Sequence, residues 1–387
     1  MKSTYLDIAL ALALGAVVVS GFAYTWNSAN NTTTGINGPL GMSADGRVIC
    51  AVSSASRPSV STNWGQTFTV ATNNSLRAPS QGHVAVSADG TKIVAYLLTN
   101  GLAGGIFATY DYGANWTKMN VPGLPSSAAI SLASSADGSK LIAGVANGPA
   151  FFSTNSGANW RTSSVPNLNW VSMASSADGG RIIGAVSGSF LLLSMDFGVT
   201  WFLPGLPVQT WKSVCISGDG KWVGAVGSLG TYISSNAATS WTTNKIGGNN
   251  NTIACSANGS TWMITGSQVY TSTDSAATWQ TNLSSGQWNN GAVSADGCEL
   301  IAVGTPGGTM IGRVTPSPEL GIQVTNGVSG ISWLIPSTNF VLQQSGDLTS
   351  TDWLPVAGSP VLNFTNLNYE IAVPNRGSNG FFRLIAQ

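Results

Sequence analysis

Ten carboxylates lie between Trp26 and Val314, and two of them facing one bond would suffice for glycoside hydrolysis. Their spacing argues for another use. Asp45, Asp89, Asp137, Asp178, Asp219 and Asp296 each stand before the glycine of a Ser-x-Asp-Gly tetrapeptide. Asp111, Asp196 and Asp274 belong to a second motif, and Glu299 follows the last tetrapeptide. Asp-Gly supplies the positive φ and the self-bonding side chain that a tight turn needs, so these residues read as turn-formers and none remains as acid, base or nucleophile. His83, the only histidine, has no carboxylate or nucleophile assignable to it and reads as a packing or rim residue. There is no Gly-x-Ser-x-Gly elbow, no phosphate loop, and no CxxC or neighbouring histidine around the four cysteines. Neither a cofactor nor a metal is expected, and catalysis is not the leading reading.

The elements that carry these residues repeat. The tetrapeptide, or its Asn-Gly variant, ends at Gly46, Gly90, Gly138, Gly179, Gly220, Gly259 and Gly297, at spacings of 38 to 48 residues. A period near 40 is that of one four-stranded propeller blade. An apolar run from His83 to Ser87, a turn from Ala88 to Thr91 and a β-branched run from Lys92 to Tyr96 predict a hairpin. A third strand such as Gly105 to Thr109 leads into the second motif. That motif recurs as Ser61 to Phe68, Thr109 to Trp116, Ser153 to Trp160, Ser194 to Trp201, Ser234 to Trp241 and Ser272 to Trp279. The seventh hairpin, Gly291 to Gly304, has a third strand at Met310 to Val314 and nothing after it, while Ala23 to Trp26 precedes the first hairpin. The fold class read from this pattern is all-β: a seven-bladed β-propeller closed by an N-terminal strand, plus a small C-terminal β-sandwich. Such closure removes free sheet edges.

The second motif, Ser/Thr-x-Asp/Asn-x-Gly/Ala-x-x-Trp, resembles the Asp box of the BNR-repeat propellers, and the resemblance spans Trp26 to Val314. It implies a turn between third and fourth strands in which Asn63, Asp111, Asn155, Asp196, Asn236 and Asp274 bond turn amides while the aromatic residue packs into the blade. Asn at 63, 155 and 236, and Ala at 238 and 276, suit positions that only cap a turn. Relatives of this family include sialidases, which carry an arginine triad beginning in a Phe-Arg-Ile-Pro motif; that motif does not occur here. The photosystem-assembly propellers resemble the chain in repeat type, but the Pro-linked C-terminal unit and the lack of a basic patch argue against that role. In the family both kinds of turn share one face, and ligand clefts open on the other.

On that other face, nine residues before the hairpin glycine, stand Trp170, Trp211 and Trp288, with Gln81, Ala129 and Asn250 at equivalent places and Asn290 close by. Indoles at the channel mouth would stack on sugar rings or grip a peptide; wedged between blades they would be core. Arg57, in a loop between second and third strands, and Arg77, in the crossing loop from Asn73 to Gly82, are further candidates there, with solvated rim residues as the alternative.

Only 8% of residues are charged and the net charge is zero, so the clustered Lys and Arg that nucleic acid requires are missing. Residues 1–23 read as a signal peptide, from Lys2, the apolar run Ile8 to Phe22 and Gly21-Phe22-Ala23. Asp7 and the apolar length up to Trp26 leave an uncleaved anchor as the alternative, the only case that implies membrane contact. The location expected is secreted, extracellular or cell-surface. Residues 24–314 form the propeller, 315–319 a Pro-containing linker, and 320–387 a small all-β unit with strands at Gly321 to Val324, Gly330 to Ile335, Asn339 to Gln344, Tyr369 to Val373 and Gly380 to Ile385. Its Phe340 to Ser345, Leu348 with Trp353, and Phe381 to Leu384 resemble a β-sandwich appended to secreted bacterial proteins. Cys215 and Cys255 fall on innermost strands of adjacent blades, Cys50 and Cys298 on second strands of the blades that meet at closure. Either pair is placed to bridge, with buried free thiols as the alternative. The expected function is non-catalytic binding of a glycan or a peptide, or scaffolding. A self-associating subunit of an extracellular layer or filament, and a degenerate glycoside hydrolase of sialidase-like type, are the alternatives.

Overall fold

The computed structural model describes residues 23–387 apart from 30–35, 37, 53–56, 74, 78–82, 100–102, 127–128, 245, 247–248, 284–285, 306–307, 326–327, 337 and 375–379. The expected signal segment, save Ala23, and Gln81 lie outside the described residues. Among those described, seven small antiparallel sheets follow one another from Thr25 to Arg313. The third is typical, with Ile130–Ser134, Leu141–Val145, Ala150–Ser153 and Arg161–Thr162 in chain order from the innermost strand outward. Its second strand is buried on both faces because a sheet packs on either side. Leu141, Ala143 and Val145 join residues of the second sheet, while Ile142 joins residues of the fourth. Strand alternation thus assigns each apolar side chain to one neighbour or the other.

The seventh sheet takes Thr25–Ser28 as its outermost strand, in register from Thr25 opposite Arg313 to Ser28 opposite Met310. The ring is therefore closed by the N-terminal strand, as the missing seventh motif predicted.

At the hairpin turns the serine and aspartate work together. Ser43 Oγ donates to Asp45 Oδ1 at 2.6 Å, that oxygen accepts the Arg47 N–H at 3.0 Å, and Ser43 Oγ accepts the Val48 N–H at 2.9 Å. Gly46 sits at φ +72°, where a side chain would be strained. The residue between serine and aspartate links the sheets. The Ala44 N–H donates to Ala88 O, Ala88 to Ala136, Ala136 to Ala177, Ala177 to Gly218, Gly218 to Ala257, Ala257 to Ala295, and Ala295 back to Ala44, all at 2.7 to 2.9 Å. Seven turns thereby close a circle of backbone hydrogen bonds around the central channel.

The C-terminal unit is a sandwich of a four-stranded sheet (Gly321–Thr325, Val328–Leu334, Asn368–Pro374, Val361–Asn363) on a three-stranded one (Phe340–Ser345, Leu354–Pro355, Phe381–Ala386). Ile331, Trp333 and Leu342 form its buried core. A second apolar cluster joins it to the propeller: Ile335 and Leu367 are buried against Ala88, Ala177 and Ala295 of the turn circle. Leu367 holds φ +60° and its backbone is pinned on both sides, its N–H donating to Asn363 O at 2.8 Å and its carbonyl accepting the Ile335 N–H at 2.9 Å. The sandwich thus covers the channel on the hairpin-turn face and leaves a void of about 170 Å³ beneath Leu367. Among the described residues no helix is long and apolar enough to cross a membrane.

Candidate functional site

The six second-motif turns are built alike. In the third sheet Ser153 Oγ donates to Asn155 Oδ1 at 3.0 Å and accepts the Gly157 N–H at 2.8 Å, while Asn155 Oδ1 accepts the Asn159 N–H at 2.8 Å. The fourth sheet repeats this with Ser194, Asp196, Gly198 and Thr200. Only Oδ1 is needed, an atom that Asn and Asp share. The second terminal atom adapts: Asn63 Nδ2 donates to Thr67 Oγ1, whereas Asp196 Oδ2 accepts from Thr200 Oγ1. Asp111 is held below the usual carboxylate range by the Asn115 N–H and the Thr109 hydroxyl, so it stays ionised as a cap. Asn236 and Asp274 cap their turns in the same way.

The Gly-to-Ala drift leaves a trace in the aromatic residue. Where glycine stands three positions before the tryptophan, its carbonyl accepts the indole N–H, as for Trp116, Trp160 and Trp201 at 3.0 to 3.1 Å. With Ala238, Trp241 donates instead to Pro204 O at 3.2 Å.

The three tryptophans of the crossing face are interior. Trp170 and Trp211 are 1% exposed and Trp288 is 4% exposed, so no indole face is free to stack on a ligand, a correction to the expected stacking surface. The cause is the close approach of neighbouring sheets: Trp170 packs with Ile142, Ala150 and Phe152 of the third sheet and Trp211 with Ile183, Leu191 and Leu193 of the fourth, while Trp201 and Tyr232 of their own sheets flank them with ring centroids 5.6 and 5.4 Å away. Asn250 is buried too; its Nδ2 donates to Ile246 O at 3.3 Å, and its Oδ1 has no partner among the described residues. Arg57 donates to Ala71 O at 2.9 Å and Arg77 to Leu76 O at 2.8 Å. Arg77 belongs to a short strand, Leu76–Arg77, rather than to open loop, and both arginines brace nearby backbone.

What the face presents lies one residue further on. In the fourth, fifth and seventh sheets the register shifts between Trp170 and Ser172, between Trp211 and Ser213, and between Trp288 and Asn290. Val171, Lys212 and Asn289 are the bulged residues, thrown out of the ladder at the ends of the inner strands opposite the hairpin turns. A bulge re-aims a side chain in this way, and here each follows a buried indole that anchors the strand. Lys212 is exposed; its Nζ donates to Asn250 O at 2.9 Å and lies 3.4 Å from Asn251 Oδ1. Asn251 Nδ2 donates to Trp288 O at 3.2 Å. A polar strap therefore runs along the rim of the channel mouth from the fifth sheet through the sixth to the seventh, with Asn289 and Asn290 half-exposed beside it. The sequence held the signal one place from the position it drew attention to, because a bulge advances the strand by one residue.

The carboxylates are engaged elsewhere. Glu299, 3% exposed, accepts from Arg313 at 2.7 and 2.9 Å, and burial, opposed by that arginine, pushes its carboxyl up to about 7. His83 is partly buried, and burial pushes its imidazole down to about 4. Among the described residues no group of three or more His, Cys, Asp or Glu could hold a metal ion.

Sheets closed into a ring around a channel define a β-propeller. No family model matches the chain, and no curated protein does. Solved structures do. The chain is similar to one described as YCF48 bound to D1 peptide, at 15% identity and TM-score 0.57, covering 77% of this chain and 98% of that one. It is also similar to YCF48 from Cyanidioschyzon merolae, at 14% identity and TM-score 0.55, covering 74% and 98%. A chain of the crystal structure of the mitotic checkpoint complex matches at 15% identity and TM-score 0.59, covering 81% and 99%. At these identities the likeness is one of fold.

Proposed function

We propose that this propeller binds an extended segment of a partner protein at the open mouth of its channel, without catalysis. The observation that carries this reading is the set of bulges that re-aim Lys212 and Asn289 beside Asn251 and Asn290, on the one face that the C-terminal sandwich leaves uncovered. Amides offer donors and acceptors together and suit a peptide backbone, and Lys212 adds one point of attraction for a carboxylate. A propeller of the same fold is described in complex with a D1 peptide, which supports a peptide as the kind of ligand. Glycan recognition loses its support once the indoles are buried. Export belongs to the same proposal and rests on the apolar run from Ile8 to Phe22. The test is a fluorescence-anisotropy screen of an overlapping peptide array, followed by Lys212→Ala and Asn290→Ala. Peptide hits weakened tenfold or more by these changes, with unfolding midpoints unchanged, are expected. No hit, or hits indifferent to both substitutions, would overturn the reading.

A second reading, a self-associating subunit, is favoured by the fourth sheet. Its outer strand is reduced to an isolated bridge between Leu193 and Phe202. The residues after the motif aromatic are Thr69, Thr117, Arg161, Thr242 and Gln280 in other sheets, but Phe202 here, followed by Leu203 at 61% exposure. Light scattering over a range of concentrations, on the protein and on Leu203→Lys, separates an edge-paired oligomer from a monomer.

A further inference from the structure

Of the four cysteines, two meet. The inner strands Trp211–Ile216 and Thr252–Cys255 run side by side around the channel. Two links fix their level: Ser213 Oγ accepts the Ile253 N–H at 3.3 Å, and the Gly218 N–H donates to Ala257 O at 2.8 Å. Cys215 and Cys255 both fall between these links, and the two side chains pack in one apolar cluster between the fifth and sixth sheets. Both thiols are free in the structure. They differ in surroundings. Cys215 is buried with Ile253 and Trp262, and its sulfur lies 2.9 Å from where a side chain on Gly224 would begin. Cys255 is only partly buried and lines the central void beneath the sandwich. The other two are placed apart from them: Cys50 packs in the cluster between the first and second sheets, and Cys298 Sγ lies 3.7 Å from Asp296 O.

We propose that Cys215 and Cys255 are a peroxide-oxidisable pair whose disulfide staples the fifth sheet to the sixth at the channel wall. Cys255, the more exposed sulfur, reacts first: it attacks one oxygen of hydrogen peroxide, the O–O bond breaks, and the departing hydroxide takes the thiol proton, giving a sulfenic acid and one water. Cys215 then displaces the hydroxyl from that sulfur, its proton leaving with it as a second water. The sum is two thiols and one peroxide to one disulfide and two waters. Burial raises the Cys215 thiol above its usual range, which leaves it protonated and in the role of second reactant. The bond would close a loop of 40 residues, long enough for the restriction of the unfolded chain to be large.

Intact mass spectrometry of the full chain under non-reducing conditions, before and after dilute hydrogen peroxide, tests this. The expected result is a loss of two hydrogens per chain, one proteolytic fragment joining Cys215 to Cys255, and a thermal midpoint raised by several degrees that dithiothreitol returns to its starting value. Cys255→Ser and, separately, Cys215→Ser should each abolish the cross-link and the rise. Both thiols alkylating fully after peroxide, or a cross-link that uses Cys50 or Cys298 instead, overturns the proposal. Because Cys255 is only partly buried, its serine variant is the control that keeps the fold if Cys215→Ser does not.

Discussion

The Glu299 carboxylate and the Arg313 guanidinium meet through two hydrogen bonds, at 2.7 and 2.9 Å, in the seam between the seventh sheet and the first. Arg313 also donates to Trp64 O at 2.7 Å, and the Trp64 indole donates to Asp45 O at 3.2 Å. In the second, third and fourth sheets the residue in the place of Glu299 is itself a cation that reaches the next turn: Lys92 donates to Asp137 O, Lys140 to Asp178 O and Arg181 to Asp219 O. At closure the reach is relayed: Glu299 holds Arg313, the arginine opposite Thr25 of the closing strand, Arg313 donates to Trp64 O, and it is the Trp64 indole that meets the Asp45 carbonyl. The pair has a pH signature. Burial raises the Glu299 carboxyl from its ordinary value to about 7, so the folded state holds this proton more tightly than the unfolded chain. Stability from this group is complete below about pH 4.5 and is lost as pH rises through 7, by roughly 3 kcal/mol. Glu299→Gln should remove that slope, as read from urea unfolding at pH 5 and pH 8; parallel curves for the two proteins would contradict it.

His83 acts with the opposite sign. Its imidazole is pushed down to about 4 by burial, so the folded state is lost preferentially as pH falls from about 6.5 through 4. His83→Gln should flatten the acid limb of the stability profile and leave the neutral limb as it was, a comparison best made by thermal melts across pH 4 to 8.

In the second-motif turns the buried hydroxyl matters more than the acid or amide. Ser153→Ala leaves the buried Gly157 N–H without its acceptor and should cost about 1–3 kcal/mol, whereas Asn155→Ala, at an exposed site where water can replace the bond, should cost under about 1 kcal/mol. Equal costs in equilibrium denaturation would show the hierarchy to be misjudged.

Trp170→Ala and Trp211→Ala remove fully buried indoles and should each destabilise the propeller by about 3–5 kcal/mol. Any peptide affinity that survives at temperatures where the variants remain folded should match that of the unsubstituted protein.

Leu367→Asp places a charge against Ala88, Ala177 and Ala295. The sandwich should lift from the propeller, so that protease cuts the 315–319 linker at least tenfold faster and small-angle scattering shows a larger radius of gyration. Unchanged cleavage would mean that other contacts hold the two units together.

The repeat was legible because each turn is a local event: Ser, Asp and Gly bond within five residues, and the period counts the sheets directly. Closure by Thr25–Ser28 was legible from the missing motif after Val314. Two features were not. The bulges at Val171, Lys212 and Asn289 depend on how the sheets pack around each indole, which a pattern of residue types does not encode. The seat of Leu367 on the alanine circle joins residues far apart in the chain, and nothing local to Asn363–Asn368 indicates it. Even so, the alanines carried a hint, since a small residue at the same place in the turns leaves room for something to sit on them.

The circle of N–H···O=C bonds from Ala44 through Ala295 has neither a first nor a last member: every peptide in it both gives and receives. A helix or an open sheet ends in groups that water must satisfy; this loop has no such ends. The channel wall therefore does not record where the polypeptide starts, and new termini cut into any outer turn, with the native ones joined, would leave it unaltered.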